Sequence, residues 1–316
     1  MVIGCTEAWS LNSKTGKAYE VNIGFPRDWD KHHLIEGQKV PIMYAMLSMQ
    51  CLESDGIYGA LSSQDYSYLT DGNSVFLTAL EVLHRRLSVF PATVALIVSI
   101  GYPLPADSAS VFDPRRRWDL TPPASGCNQA EGGADELINF IDDMVRKLAH
   151  RRLRETRGVE PGKEALFGHS LGGLFCLHTL FTNTKLFDCY IASSPSVWWN
   201  DEYLLQEEAL FREGRNDDAN DFYLHKPSLI ISAGSQEQEP PRNRNETDEE
   251  YERRWRQYQE RKMVDHVHGV YKRLRKSHKL NHMSSMIYEG QDHGTVVSCS
   301  LSRGLTTFIE DWPLEE

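Results

Sequence analysis

Apolar positions along the chain change period several times, and each change marks an element. Residues 94–100 (VALIVSI) form a continuous β-branched run closed by Gly101, the pattern of a strand buried on both faces. Over 128–153, Leu137, Ile138, Ile141, Met144, Val145 and Leu148 recur every three or four positions, which predicts a helix with one apolar stripe. A short strand over 164–167 (EALF) then runs into Gly168, and an apolar helix follows over 174–181. Residues 187–192 (FDCYIA), 228–232 (SLIIS) and 283–288 (MSSMIY) read as further strands, and 301–312 closes the chain with a helical pattern. Strands alternating with helices at this spacing imply right-handed crossovers and a largely parallel sheet.

The first residues behave differently. Segments 8–12, 17–25 and 40–43 read as strands joined by turn signals at 13–16 and 26–30, which suggests an antiparallel edge ahead of the parallel core. The expectation is one α/β domain with a mostly parallel central sheet, antiparallel N-terminal edge strands and helices on both faces. Two segments stand apart. Residues 45–67 sustain neither a period of 2 nor one of 3.6. Residues 236–262 are highly charged, with Tyr251, Trp255 and Tyr258 at helical spacing from about Asp248 onward. This second segment reads either as a solvated helix with one apolar stripe or as a flap bringing Arg242, Arg244 or Arg253 to a substrate.

Charge and cysteine usage narrow the setting. With 34 Lys+Arg against 45 Asp+Glu over 316 residues, the net charge is −11, which disfavours nucleic acid and anionic membranes as partners. No run approaches the roughly 18 apolar residues of a spanning helix, and the first residues show no secretory pattern. The six cysteines lack CxxC spacing and read as free thiols, so a soluble intracellular (cytoplasmic) protein is expected. Histidine spacing such as HExxH is missing, and no metal or other cofactor is implied.

The chemistry concentrates at strand ends. Residues 168–172 (GHSLG) match G-x-S-x-G between a short strand and an apolar helix, the setting of a nucleophile elbow. A serine hydroxyl needs an imidazole to take its proton, and a sharp turn at the sheet edge exposes Ser170 to one. The N–H of Leu171, opening the helix, would face the developing oxyanion. Such elbows order their partners as serine, acid, histidine. His293, in the GQDHG loop after the 283–288 strand, is the expected base. The acid belongs after the 228–232 strand, where Glu237 and Glu239 are candidates and Glu237 lies nearer the strand end. Tyr102, after the 94–100 strand, would supply a second oxyanion N–H. Trp198 and Trp199 could wall an acyl or alcohol pocket or else pack the core. The run Arg115, Arg116 and Arg117 could bind a polar or anionic group, or simply hold Asp119.

Together these motifs resemble the esterase D-like branch of the α/β-hydrolases, and within it the ferri-siderophore esterases. The resemblance rests on IGYP (100–103), RRWDLTP (116–122), GHSLGG (168–173), SSPSVWW (193–199), GSQEQ (234–238) and GQDHG (290–294), with SKTGKAY (13–19) and DGN (71–73) in support. It implies hydrolysis of the ester bonds of an iron-loaded siderophore, releasing iron inside the cell, with the fungal hydroxamate type favoured over the catecholate type. It also implies Ser170 as nucleophile, His293 as base, Glu237 as acid and Arg116 as a substrate-binding residue. Against the family pattern, 45–67 interrupts what would be one strand; a surface excursion or a translated retained intron would each account for it. Two other functions remain open at this level. One is a different esterase D-like carboxylesterase or S-formylglutathione hydrolase; the other is a non-catalytic hydrolase-fold protein that holds a ferri-siderophore.

Overall fold

Every strand-period run enters one sheet. The computed structural model describes residues 5–27, 39–47, 71–90, 94–103, 113–126, 129–214 and 226–310. Its eight strands are β1 (Thr6–Asn12), β2 (Ala18–Gly24), β3 (Val40–Leu47), β4 (Leu96–Gly101), β5 (Pro161–His169), β6 (Cys189–Ser193), β7 (Ser228–Gly234) and β8 (Met283–Tyr288), in the order β1-β2-β4-β3-β5-β6-β7-β8. Pairing is antiparallel between β1 and β2 and between β2 and β4, and parallel everywhere else, so β2 alone runs against the others.

One strand departs from the sequence expectation. The 40–43 run does not belong to an antiparallel edge; it starts β3, which lies in the middle of the sheet, parallel to both β4 and β5. Its residues are sealed on both faces, with Val40, Ile42, Met43, Tyr44 and Ala45 fully buried. The strand also continues through Ala45 and Met46 to Leu47, so the first residues of the 45–67 segment complete a strand. Residues 48–67 lie outside the described residues.

Helices cover both faces for a topological reason. After β3 the chain passes through α1 (Asp71–Val89) and steps toward β1 to form β4, whereas β5, β6, β7 and β8 step the opposite way. With right-handed crossovers, reversing the step places the connecting helix on the other face. Thus α5 (Leu171–Thr182) and α9 (Met263–Arg275) lie opposite α1, and the closing α10 (Val296–Ile309) packs beside α1. The stripe read over 128–153 appears as α3 (Ala134–Phe140), a widened π-type turn over 141–146 and α4 (Lys147–Arg157). The short α2 (Arg116–Leu120) and α6 (Trp199–Glu202), with α7 (Leu204–Glu213) and α8 (Asp248–Arg261), complete the element order. Among the described residues no helix is long and apolar enough to cross a membrane.

Candidate active site

Strand register alone brings the chemistry-bearing loops together. Ala45 pairs with Ser99 on one side and Phe167 on the other, while Phe167, Ile191 and Ile230 stand level across β5, β6 and β7. Three positions beyond that level lie Tyr102, Ser170 and Ser194, all at the C-terminal edge. The stepping direction reverses between β4 and β5, which makes this edge the topological switch point, where open α/β sheets hold their ligand crevice.

Ser170 sits on the turn from β5 into α5 with φ 60° and ψ −118°, a strained conformation for a residue with a side chain. Its surroundings hold it there. The Ser170 N–H donates to the Ser193 carbonyl at 3.0 Å, and its own carbonyl accepts from Leu174 at 3.0 Å and Ser196 at 3.1 Å. Two residues earlier, a Cβ on Gly168 would stand 1.9 Å from the Gly172 carbonyl oxygen, so only glycine lets strand and helix approach this closely.

His293 bridges the two other members of the constellation. Its Nε2 lies 2.9 Å from Ser170 Oγ, and its Nδ1 lies 2.5 Å from Glu237 Oε2. Glu237 is buried, on the short turn after β7, while Glu239 is exposed. The second Glu237 oxygen accepts the Ser194 hydroxyl at 2.5 Å and the Gly234 N–H at 2.7 Å. Both lobes of the carboxylate therefore have donors, which offsets the cost of burying its charge. The acid and base loops are also joined: Gln236 N–H donates to the Gln291 carbonyl at 3.1 Å, and a Cβ on Gly234 would come within 2.2 Å of that same oxygen. Asp292 turns away from the imidazole, accepting the N–H groups of Gly294 at 2.9 Å and Thr295 at 2.8 Å, which shapes the loop presenting His293.

His169 lies next to this triad and stays neutral. Burial, the adjacent His293 and the nearby Arg116 charge drive its imidazole well below the ordinary histidine range. Its Nδ1 pairs with Ser193 Oγ at 3.0 Å, and its ring stands 4.6 Å from that of His293. A neutral neighbour does not repel the imidazolium that His293 would become.

The other expected site residues divide by environment. Leu171 is the first residue of α5, so its N–H is among those without an intrahelical acceptor. Tyr102 directly follows β4 and is buried, its ring 4.8 Å beneath the Arg115 guanidinium, which also covers Tyr19 at 4.4 Å. The arginine run separates three ways. Arg115 pairs with Asp119 at 3.1 Å and Arg117 with Glu131 at 2.7 Å, and the buried Arg116 lies close enough to act electrostatically on His169. Trp199 is buried, T-stacked on Tyr203 and donating its indole N–H to Glu131 at 3.3 Å, so it packs rather than walls the crevice. Trp198 is half-buried, with the Arg261 guanidinium 4.9 Å over its ring.

Three contributors carry no individual signal in the sequence: Ser194, Gln238 and Arg261. Gln238 follows the acid and fastens the α8–α9 corner, its side-chain carbonyl accepting the N–H groups of Val264 and Asp265 at 3.1 Å each and its amide donating to Asp265 at 2.9 Å. This brings the end of the charged 236–262 segment beside Glu237. The flap candidate Arg242 instead pairs with Asp248.

A mostly parallel sheet with a serine on a strained strand-to-helix turn defines the α/β-hydrolase class. The chain belongs to the esterase family described as "Putative esterase", which matches residues 13–282. It is 38% identical over 98% of its length, and 95% of the relative's, to a siderophore triacetylfusarinine C esterase of Aspergillus fumigatus. It is 37% identical to a siderophore enterobactin esterase of Emericella nidulans, over 94% of this chain and 91% of the relative. Among solved structures, the siderophore hydrolase EstB from Aspergillus nidulans superposes with a TM-score of 0.83 at 35% identity, over 100% of this chain and 99% of that one.

Proposed function

We propose that this protein hydrolyses the ester bonds of an iron-loaded siderophore of the fungal tri-ester hydroxamate type, and that it does so in the cytoplasm, where opening the ligand releases iron. The observation that carries the reading is the His293 bridge, 2.9 Å to Ser170 Oγ and 2.5 Å to Glu237 Oε2. In this reading His293 Nε2 takes the hydroxyl proton as Ser170 Oγ attacks the ester carbonyl carbon. Glu237 holds the Nδ1–H and stabilises the imidazolium, while the N–H groups of Leu171 and Tyr102 receive the oxyanion. The tetrahedral species collapses, the alcohol leaves with the proton from His293, and water activated by the same imidazole releases the acid from Ser170. Iron arrives with the substrate. Arg116 and Trp198 are assigned to the substrate-facing wall.

Mass spectrometry of the products from iron-loaded triacetylfusarinine C, with iron-loaded enterobactin as the second substrate, tests the reading. Cleavage of the first, abolished by Ser170→Ala, is the expected result. Exclusive cleavage of the catecholate would move the assignment to the substrate named for the Emericella nidulans relative. Turnover of simple esters with neither siderophore cut would replace the siderophore reading with a general carboxylesterase.

A further inference from the structure

Arg261 is an arginine without an acid. It ends α8, is half-buried, and has no carboxylate within ion-pair distance among the described residues, although Arg254 and Arg256 of the same helix pair with Glu246 at 2.6 Å and Glu252 at 3.1 Å. Its guanidinium lies 4.9 Å over the Trp198 ring, a contact that engages the cation without using its N–H donors. The corner that carries it is fastened by Gln238, so it stands close enough to Glu237 for that carboxylate to act on it electrostatically. The one carboxylate that acts on it, Glu237, is otherwise engaged by His293, Ser194 and Gly234. Burial lowers the guanidinium's proton affinity, and Tyr258 and Glu237 offset this only in part.

We propose that Arg261, with Trp198 as its floor, is an anion subsite that docks a carboxylate carried by the ester substrate. A partly desolvated guanidinium forms bidentate bonds to a carboxylate, and Trp198 offers apolar surface to the chain leading to it. The inference deepens the ester-hydrolase reading and rests on it. Each ester cut creates one carboxylate and one alcohol. A cyclic tri-ester opened once becomes a linear di-ester with an acid end, so Arg261 would favour the opened intermediates over the intact ring and draw cleavage toward completion.

Monoethyl adipate and ethyl hexanoate have equal acyl length and differ in one terminal carboxylate, which makes them suitable probes. Proton-release kinetics should give the unmodified protein a kcat/KM at least about tenfold higher for the adipate, the scale of a hydrogen bond to a charged group. Such a preference would hold despite the net charge of −11. Arg261→Gln should bring the ratio close to one, chiefly through the adipate KM, and Arg261→Lys should retain part of it. A parent with no preference, or an Arg261→Gln variant that keeps the ratio while both esters slow together, overturns the subsite. The same comparison by NMR titration in the Ser170→Ala protein needs no turnover. Equal dissociation constants with and without Arg261 would refute the subsite even in an active esterase. Turnover surviving Ser170→Ala would refute Ser170 as the nucleophile, and no turnover of either ester by the unmodified protein would refute the hydrolase reading; both leave the binding result standing.

Discussion

Ser194 donates its hydroxyl to Glu237 across 2.5 Å, on the carboxylate oxygen that His293 does not use. The acid is thus fixed from both sides, and its orientation toward Nδ1 depends on a fully buried residue. Ser194→Ala leaves that oxygen with the Gly234 N–H alone. Steady-state kinetics on p-nitrophenyl acetate should show kcat down by about tenfold, the scale of one hydrogen bond to a charged group, with KM little changed. Glu237→Gln is more severe because an amide selects the wrong imidazole tautomer; a fall on the order of 10⁴ is expected, as in other triads. A Glu237→Gln protein within threefold of the parent would remove the carboxylate from the mechanism.

Gly168→Ala tests the elbow's steric basis. The added methyl would overlap the Gly172 carbonyl oxygen, 1.9 Å from the ideal Cβ position, and neither partner is a flexible side-chain end. Separating β5 from α5 is the only relief, and it moves Ser170 away from His293. Thermal unfolding should show a loss on the order of 3 kcal/mol, typical of severe overpacking, and turnover should fall further than stability explains. An alanine variant with parental activity would mean that the strand–helix approach is looser than described.

How much of this was legible beforehand depends on the kind of signal each residue leaves. Ser170, Glu237 and His293 are readable because each follows a strand in an order that the elbow dictates, and the 283–288 strand has the same bounds in the structure. The central position of β3 is not readable, since a short apolar run looks alike at an edge and in the middle of a sheet. Its end is hidden too, because Ala45 and Met46 prolong the apolar run without a break. Helix α1 did leave a trace: Val75, Phe76, Ala79, Leu80, Leu83 and Leu87 recur at helical spacing and all are buried. The π-type turn at 141–146 leaves none, as one extra residue barely disturbs a stripe. Arg261 is invisible for another reason. In a run dense with arginines and glutamates, only three-dimensional pairing reveals which arginine lacks an acid.

Acid should loosen the packing around Glu164. This buried carboxylate accepts from Tyr44 at 2.7 Å and pairs with His150 at 2.9 Å and with Arg146. Burial alone would raise its pKa, but the hydrogen bonds from His150 and Arg146 outweigh it and hold the group at about 2. The folded value lies below the ordinary 4.5, so the contribution is complete above about pH 4.5 and disappears as pH falls toward 2. Its full size is about 3 kcal/mol. Denaturation midpoints measured between pH 6 and pH 3 should fall less steeply in Glu164→Gln than in the parent; parallel slopes would take Glu164 out of the acid response.

Alkali should act through His178, by the opposite sign. The imidazole is buried on α5 between Glu207 of α7 at 2.8 Å and Asp135 of α3 at 3.1 Å. Burial lowers its proton affinity, yet the hydrogen bonds to Asp135 and Glu207 prevail and raise its pKa to about 9. A folded value above the ordinary 6.5 means that the protonated bridge contributes fully below pH 6.5 and is lost as pH rises through about 9. Deprotonation removes the charge that links three helices and leaves two carboxylates facing a neutral ring. Melting temperature should therefore drop between pH 7 and pH 9.5 in the parent. His178→Gln should start lower at pH 7, with the two carboxylates already uncompensated, and decline less over the same interval. A variant curve that falls in parallel with the parent's would place the alkaline transition elsewhere in the molecule.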